Sequence, residues 1–186
     1  MKKILIILCT LFAFSFAEER KPFDDVYVGL EGGNIYPWGD LEDALYNSWY
    51  GQLNFRYNYY KSLDGYVNFG YTYFETRDAA VDFPGVHQFN GRVGLLWSIP
   101  KTPGFRLGGG FSCIWTRSDG GDPNAKLGGM LSDNESEFGW NAMLSLPVIR
   151  SENWNVGLNT YWEQIWTTPE RSNMLWVGMY IERKVR

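Results

Sequence analysis

Past its first seventeen residues the chain has a single cysteine, Cys113, and in its full 186 residues a single histidine, His87. One cysteine excludes an intrachain disulfide, so stability must come from ordinary burial or from a membrane. One histidine with one cysteine leaves no set of zinc ligands. The net charge of −4 argues against nucleic acid as a partner. After the N-terminus no apolar run reaches the roughly 20 residues that a spanning helix needs. No glycine loop for phosphate is present either, because Gly108-Gly109-Gly110 falls inside a stretch that reads as a strand.

What the chain has in excess is aromatic. Phe, Trp and Tyr make up 18 % of it, with nine tryptophans. Trp and Tyr concentrate where hydrocarbon meets water. The N-terminus supplies a second signal. Lys2 and Lys3 precede an apolar run from Ile4 to Phe14, then Ser15-Phe16-Ala17 and the charged burst Glu18-Glu19-Arg20-Lys21. That order predicts a secretory signal, residues 1–17, cleaved after Ala17. Leu8 stands where lipid attachment at Cys9 would need a small residue, so a lipoprotein is not expected.

The mature segment, 18–186, reads in steps of two as one domain. In WYGQLNFRYNYY, one row holds Trp49, Gly51, Leu53, Phe55, Tyr57 and Tyr59. The other holds Tyr50, Gln52, Asn54, Arg56 and Asn58. Successive side chains of a strand point to opposite faces, so the sheet has an apolar face and a polar face. Eight such strands are expected: Asp25 to Ile35, Ser48 to Tyr60, Tyr66 to Thr76, His87 to Ser98, Phe105 to Thr116, Glu137 to Val148, Trp154 to Ile165 and Met174 to Glu182. Their connections alternate. Lys61 to Gly65, Pro100 to Gly104 and Arg150 to Asn153 are short turns. Pro37 to Asn47, Arg77 to Val86, Arg117 to Ser136 and Trp166 to Asn173 are longer, and Leu41 to Leu45 is compatible with one helical turn. Short turns at one end and long loops at the other, with an even strand count, mark an outer-membrane barrel. The expected fold is therefore all-β, an eight-stranded antiparallel up-and-down transmembrane β-barrel.

A soluble lipocalin-like barrel is the structural rival, with apolar residues inside and polar ones outside. Tryptophan placement decides against it. Trp49, Trp115, Trp140 and Trp162 fall near the long-loop ends of their strands, and Trp97 and Trp154 near the short turns. All six lie on the apolar row, with Val93, Leu95, Leu107, Leu144, Leu146, Val156 and Leu158 between. Two aromatic belts around an aliphatic band describe a lipid-facing surface.

The opposite row then faces a wet or hydrogen-bonded lumen. It carries Glu31, Arg56, Arg92, Arg106, Glu163 and Glu182 among asparagines and glycines. The three arginines are expected to fill the room that glycines such as Gly94, Gly157 and Gly178 leave, pairing with Glu31 and with Glu163 or Glu182. An unpaired buried charge is costly, so mixed signs are required.

Signal, two-faced strands, alternating connections and aromatic belts, as in WYGQLNFRYNYY and FGWNAMLSLPV, together resemble the small outer-membrane barrels of the OmpA, OmpX and OmpW type. One departure concerns the end of the chain. Many such proteins finish on an aromatic residue read by the insertion machinery, whereas this one finishes Tyr180-Ile181-Glu182-Arg183-Lys184-Val185-Arg186. The resemblance implies the outer membrane of a Gram-negative-type bacterium. It also implies contact with outer-membrane lipid and lipopolysaccharide, and handling by the barrel-assembly machinery. Some barrels of this size act on lipid A through a serine, a histidine and a carboxylate. Here that chemistry could centre only on His87, with Asp82 and Ser98 nearby in sequence, and His87-Gln88-Phe89 lacks a His-x-Ser pattern. Loop carboxylates Asp119, Asp122, Asp133, Glu135 and Glu137 have no regular calcium spacing and read as solvated charge. No cofactor and no metal are expected. The leading expectation is a non-enzymatic barrel with a side-chain-filled lumen and a structural or surface-interaction role through its loops, whose partner the chain does not identify. The alternatives are a narrow channel for small solutes and a lipid A-modifying enzyme.

Overall fold

The computed structural model describes residues 25–60, 62–77, 85–100, 102, 104–118, 134–166 and 171–186. The expected signal, residues 1–17, Asp82 and most of the loop 117–136 lie outside the described residues. Eight strands follow in order: β1 Val26–Trp38, β2 Ser48–Tyr60, β3 Leu63–Glu75, β4 Gly85–Ser98, β5 Arg106–Ser118, β6 Asn134–Arg150, β7 Trp154–Ile165 and β8 Ser172–Lys184, with one short helix, α1 Asp40–Ala44, after β1. Each strand pairs antiparallel with the next, and β8 returns to β1, closing an up-and-down barrel. Closure leaves no unpaired sheet edge, which a strand crossing hydrocarbon could not tolerate.

Side-chain alternation sorts the residues as a transmembrane barrel requires. On the outer face Leu30 is 60 % exposed, Phe111 68 % and Met179 62 %, while inward-facing Arg92 is 1 % exposed and Glu163 0 %. A soluble barrel would show the reverse. Trp49, Trp115, Trp154 and Trp162 are exposed on the outer face, and Trp97 and Trp140 are half-buried on it. Trp38 and Trp166 lie exposed at the long-connection end as well. Trp140 packs edge-on against Trp162, with ring centres 4.9 Å apart, and its indole N–H donates to Gln164 Oε1 at 3.1 Å.

The strand bounds differ from the sequence expectation by a few residues, with β6 running Asn134–Arg150 rather than Glu137 to Val148. β3 begins at Leu63 rather than Tyr66, because the ladder with β2 runs on through Asn58–Asp64 to Tyr60–Leu63. Asp64 thereby leaves the turn and enters the lumen wall. In β6 the register shifts between Pro147 and Ile149. Proline cannot donate to a ladder, so a bulge there is the usual accommodation.

The bore is also not polar throughout. At the long-connection end it is lined by Ile35, Phe74, Val86, Ile114, Ile165 and Met174, and Leu41 of α1 and Leu45 just after it pack on this cluster as a cap. Gly39, at φ +72°, lets the chain reverse direction out of β1 into the helix. The cap is tied to β3. Leu45 bridges Thr76, the Arg77 N–H donates to the Ala44 carbonyl at 2.9 Å, and the Arg77 guanidinium stands 5.1 Å from the Tyr46 ring centre.

Candidate functional site

Below the apolar cap the lumen holds two tiers of charge. In the upper tier Arg92, from β4, meets Glu163, from β7, across the bore. Arg92 Nε donates to Glu163 Oε1 at 3.0 Å and Nη2 to Oε2 at 2.9 Å, a two-pronged pair with both side chains fully buried. Nη1 donates to Gln52 Oε1 at 2.9 Å. The guanidinium lies 3.9 Å over the ring of Trp176 and 4.9 Å from that of Tyr161. A planar guanidinium suits this setting, because its fork matches a carboxylate while its face stacks on an aromatic ring. Every side of Arg92 is occupied.

The lower tier, near the short turns, is a chain of four. Arg56 holds Glu182 through Nη2 at 2.5 Å and Nε at 3.2 Å, and holds Asp64 Oδ2 through Nη1 at 2.8 Å. Arg106 Nη1 reaches Glu182 Oε1 at 3.8 Å, and the Asn155 amide donates to the same oxygen at 2.9 Å. Each strand supplies its residue through the two-residue alternation, but the barrel's stagger decides which of them meet.

Glu31 departs from expectation. It was expected to pair with an arginine, yet its carboxylate is held by four neutral donors. Tyr50 Oη donates to Oε1 at 2.5 Å, while Asn54 Nδ2 at 2.9 Å, Tyr161 Oη at 3.0 Å and Asn159 Nδ2 donate to Oε2. The glycine expectation is corrected too. The room at inward glycines is taken by tyrosine rings, adjacent backbone and, at Gly70, the Asn90 and Gln52 side chains rather than by arginine. Tyr66 occupies it at Gly94, Tyr50 at Gly178 and Tyr180 at Gly157. Arginine would have left its long stem and charged head short of partners there, whereas a ring covers bare backbone and carries a hydroxyl inward.

Sequence reasoning missed Asp64, Tyr66, Tyr161 and Trp176 as lumen residues. The signal was present. Carrying the alternation of β3 back from Tyr66 puts Asp64 on the inward row, and Met174, Trp176, Gly178, Tyr180 and Glu182 form one inward row of β8. Of the residues that a His-centred triad could draw on, Asp82 lies outside the described residues, and His87 and Ser98 stand at opposite ends of β4. His87 lies on the outer face, its Nδ1 sharing a hydrogen bond with Tyr71 Oη at 2.8 Å and its ring packed near Tyr73. Ser98 ends β4 at the opposite rim, eleven positions away. Among the described residues no group of three or more His, Cys, Asp or Glu is placed to hold a metal ion.

The closed eight-stranded antiparallel barrel has counterparts among solved structures. Neisserial surface protein A superposes with a TM-score of 0.64 at 11 % identity, covering 86 % of this chain and 96 % of that one. OprG of Pseudomonas aeruginosa gives 0.54 at 13 % identity, covering 91 % and 98 %. Ail of Yersinia pestis in a phospholipid nanodisc gives 0.52 at 12 %, covering 85 % and 98 %. The fold is that of the small eight-stranded outer-membrane barrels. No family model and no curated protein matches the sequence.

Proposed function

We propose that this protein is a non-enzymatic, non-conducting barrel of the outer membrane that serves as a rigid anchor for its long connections. The observation that carries the reading is the closure of the bore. Arg92 spans it from Gln52 to Glu163 with Trp176 against its face, and Leu41 and Leu45 lie across the opening above. An eight-stranded barrel has an interior just wide enough to be filled by side chains, and here they are locked by ion pairs. In this reading the outer face lies against outer-membrane lipid, with lipopolysaccharide meeting the aromatic belt of Trp49, Trp115, Trp140 and Trp162. The barrel is exported by its N-terminal signal and inserted by the barrel-assembly machinery. The long connections then face the outside and carry whatever the protein meets there.

The test is electrical. Purified barrel inserted into a planar bilayer should give no steady current, while Arg92→Ala combined with Leu41→Ala and Leu45→Ala should raise the leak. Reproducible single-channel steps from the unmodified protein would overturn the anchor reading in favour of a narrow solute channel. Hydrolysis or acyl transfer on lipid A by the unmodified protein, lost in His87→Ala, would favour the enzyme.

A further inference from the structure

The basic end of β8 and the widest groove on the barrel wall lie in one line on the outer face. Arg183 is exposed on the outward row of β8, and its guanidinium stands 5.6 Å from the ring centre of Trp154, its ladder partner on β7. Among the described residues Arg183 makes no ion pair, whereas its neighbour Lys184 is paired with Asp25. The chain is pinned at this point. The Val185 N–H donates to the Val26 carbonyl at 2.8 Å and the Val26 N–H to the Arg186 carbonyl at 3.0 Å. Arg183 is thus held on an aromatic platform at the short-turn rim, the level at which a barrel's aromatic belt meets lipid headgroups.

The groove begins at Ile181, the next residue of the same outward row. Ile181, Leu30, Leu53 and Phe69 stand abreast in one cross-strand row, and in the next row Gly32 and Gly51 lie side by side between Met179 and Tyr71. The two glycines leave an open trough of about 680 Å³ between these apolar walls. That is within the roughly 300–1,000 Å³ of sites that take small ligands. Neither packing nor backbone demands glycine here. A Cβ at Gly51 would meet nothing within 4 Å, one at Gly32 only the Tyr50 carbonyl at 3.4 Å, and neither residue has a positive φ. Inward glycines such as Gly94 are packed shut, whereas these two keep a space open.

A trough facing hydrocarbon fills with hydrocarbon, and the charge at its mouth decides whose. Met179, on the glycine row, is four residues from Arg183, about 14 Å along the strand at ~3.4 Å per residue. Half of a bilayer's hydrocarbon core spans about 15 Å, so one lipid reaches both places. We propose that Arg183, backed by Trp154, holds the phosphate of an anionic glycerophospholipid while the groove over Gly32 and Gly51 takes one of its acyl chains. A guanidinium fork matches phosphate oxygens and its face stacks on an aromatic ring. The rim favours a headgroup of net negative charge over one carrying its own ammonium. Arg150 and Arg186 are exposed there too, and among the described residues Glu152 is the one exposed carboxylate at that end. That the lipid belongs to the periplasmic leaflet rests on the anchor reading, with the long connections outside. The clamp and the groove do not depend on it.

The experiment follows the indole N–H signal of Trp154, assigned with Trp154→Phe, by nuclear magnetic resonance. The full barrel in zwitterionic detergent micelles is titrated with phosphatidylglycerol, with phosphatidylcholine of the same chains, or with inorganic phosphate. Phosphatidylglycerol should move the signal saturably, and phosphatidylcholine should need a much higher concentration. Losing a charge-assisted contact to phosphate, Arg183→Gln should raise the half-saturating concentration about tenfold. Gly51→Leu, which fills the groove and leaves every charge in place, should raise it as well. Arg171→Gln, the same charge removed at the opposite end, should leave it unchanged. Should Arg183→Gln fail to fold, Gly51→Leu and the comparison of the two lipids decide. Equal responses to both lipids would reduce the site to ordinary lipid contact and overturn it. So would a response unchanged in Arg183→Gln or in Gly51→Leu, or an equal shift of the Trp140 indole at the other rim. Saturation by inorganic phosphate at the same concentration would leave a free-anion site and overturn the lipid. None of these outcomes bears on the conductance test, so this site and the anchor reading fail separately.

Discussion

Tyr66 lies directly across the ladder from Gly94, and its ring occupies the space a side chain at 94 would need. A Cβ there would stand 2.6 Å from Tyr66 Oη and 2.4 Å from the carbonyl oxygen of Gly109. The tyrosine hydroxyl is in turn fixed by Asn141 Oδ1, to which it donates at 2.5 Å. The ring cannot retreat without losing that bond, and backbone cannot retreat at all. Gly94→Ala should therefore destabilise the barrel by about 1–3 kcal/mol, the usual cost of overpacking. Gly51→Ala offers the contrast, because nothing lies within 4 Å of a Cβ at that outward position. Urea titrations in vesicles should show a lowered midpoint for the first and little change for the second; matching losses would refute the packing argument.

The two faces should price charge differently. Leu95 is 45 % exposed at the middle of β4, on the outer face. Leu95→Arg should cost about 2–4 kcal/mol, the penalty for a basic residue near the bilayer midplane of a barrel. Glu75, at the long-connection end of β3 on the same face, is already charged and exposed, and Glu75→Arg should cost about 0–1 kcal/mol. Folding titrations that ranked the two in the opposite order would displace the hydrocarbon band from where the apolar residues put it.

Arg92 and Glu163 should be strongly coupled. Arg92→Ala leaves a fully buried carboxylate without its partner, for an expected loss of about 3–5 kcal/mol. Replacing both, as Arg92→Met with Glu163→Leu, removes charge and partner together and should recover much of that loss. A double-mutant cycle that came out additive would mean the pair is not a unit.

Orientation can be read from outside the cell. In a Cys113→Ser background, Arg171→Cys at a long connection should react with an impermeant thiol reagent on intact cells. Glu152→Cys, on the exposed turn between β6 and β7, should react only after the outer membrane is opened. Labelling of position 152 alone would invert the barrel.

The alternation that makes a strand two-faced is local, repeating every second residue, so the chain displayed it without any folded context. Barrel class, strand number, the outward row from Leu30 to Ile181 and the inward placement of Arg56, Arg92 and Glu163 all follow from it. What lies opposite what across the bore does not, because that depends on strand tilt and stagger, which are properties of the closed sheet. Arg92 met Glu163 from 71 positions away and Arg56 met Glu182 from 126, distances at which no sequence period survives. The same stagger left Glu31 among tyrosines and asparagines and set tyrosine rings over Gly94, Gly157 and Gly178. It also let the segment Asp40 to Leu45 drop two leucines into the bore, where apolar inward residues from several strands converge. β1, β3, β4, β5, β7 and β8 each carry one of those apolar residues, too few to stand out as a pattern. Only closure of the barrel gathers them into a cap.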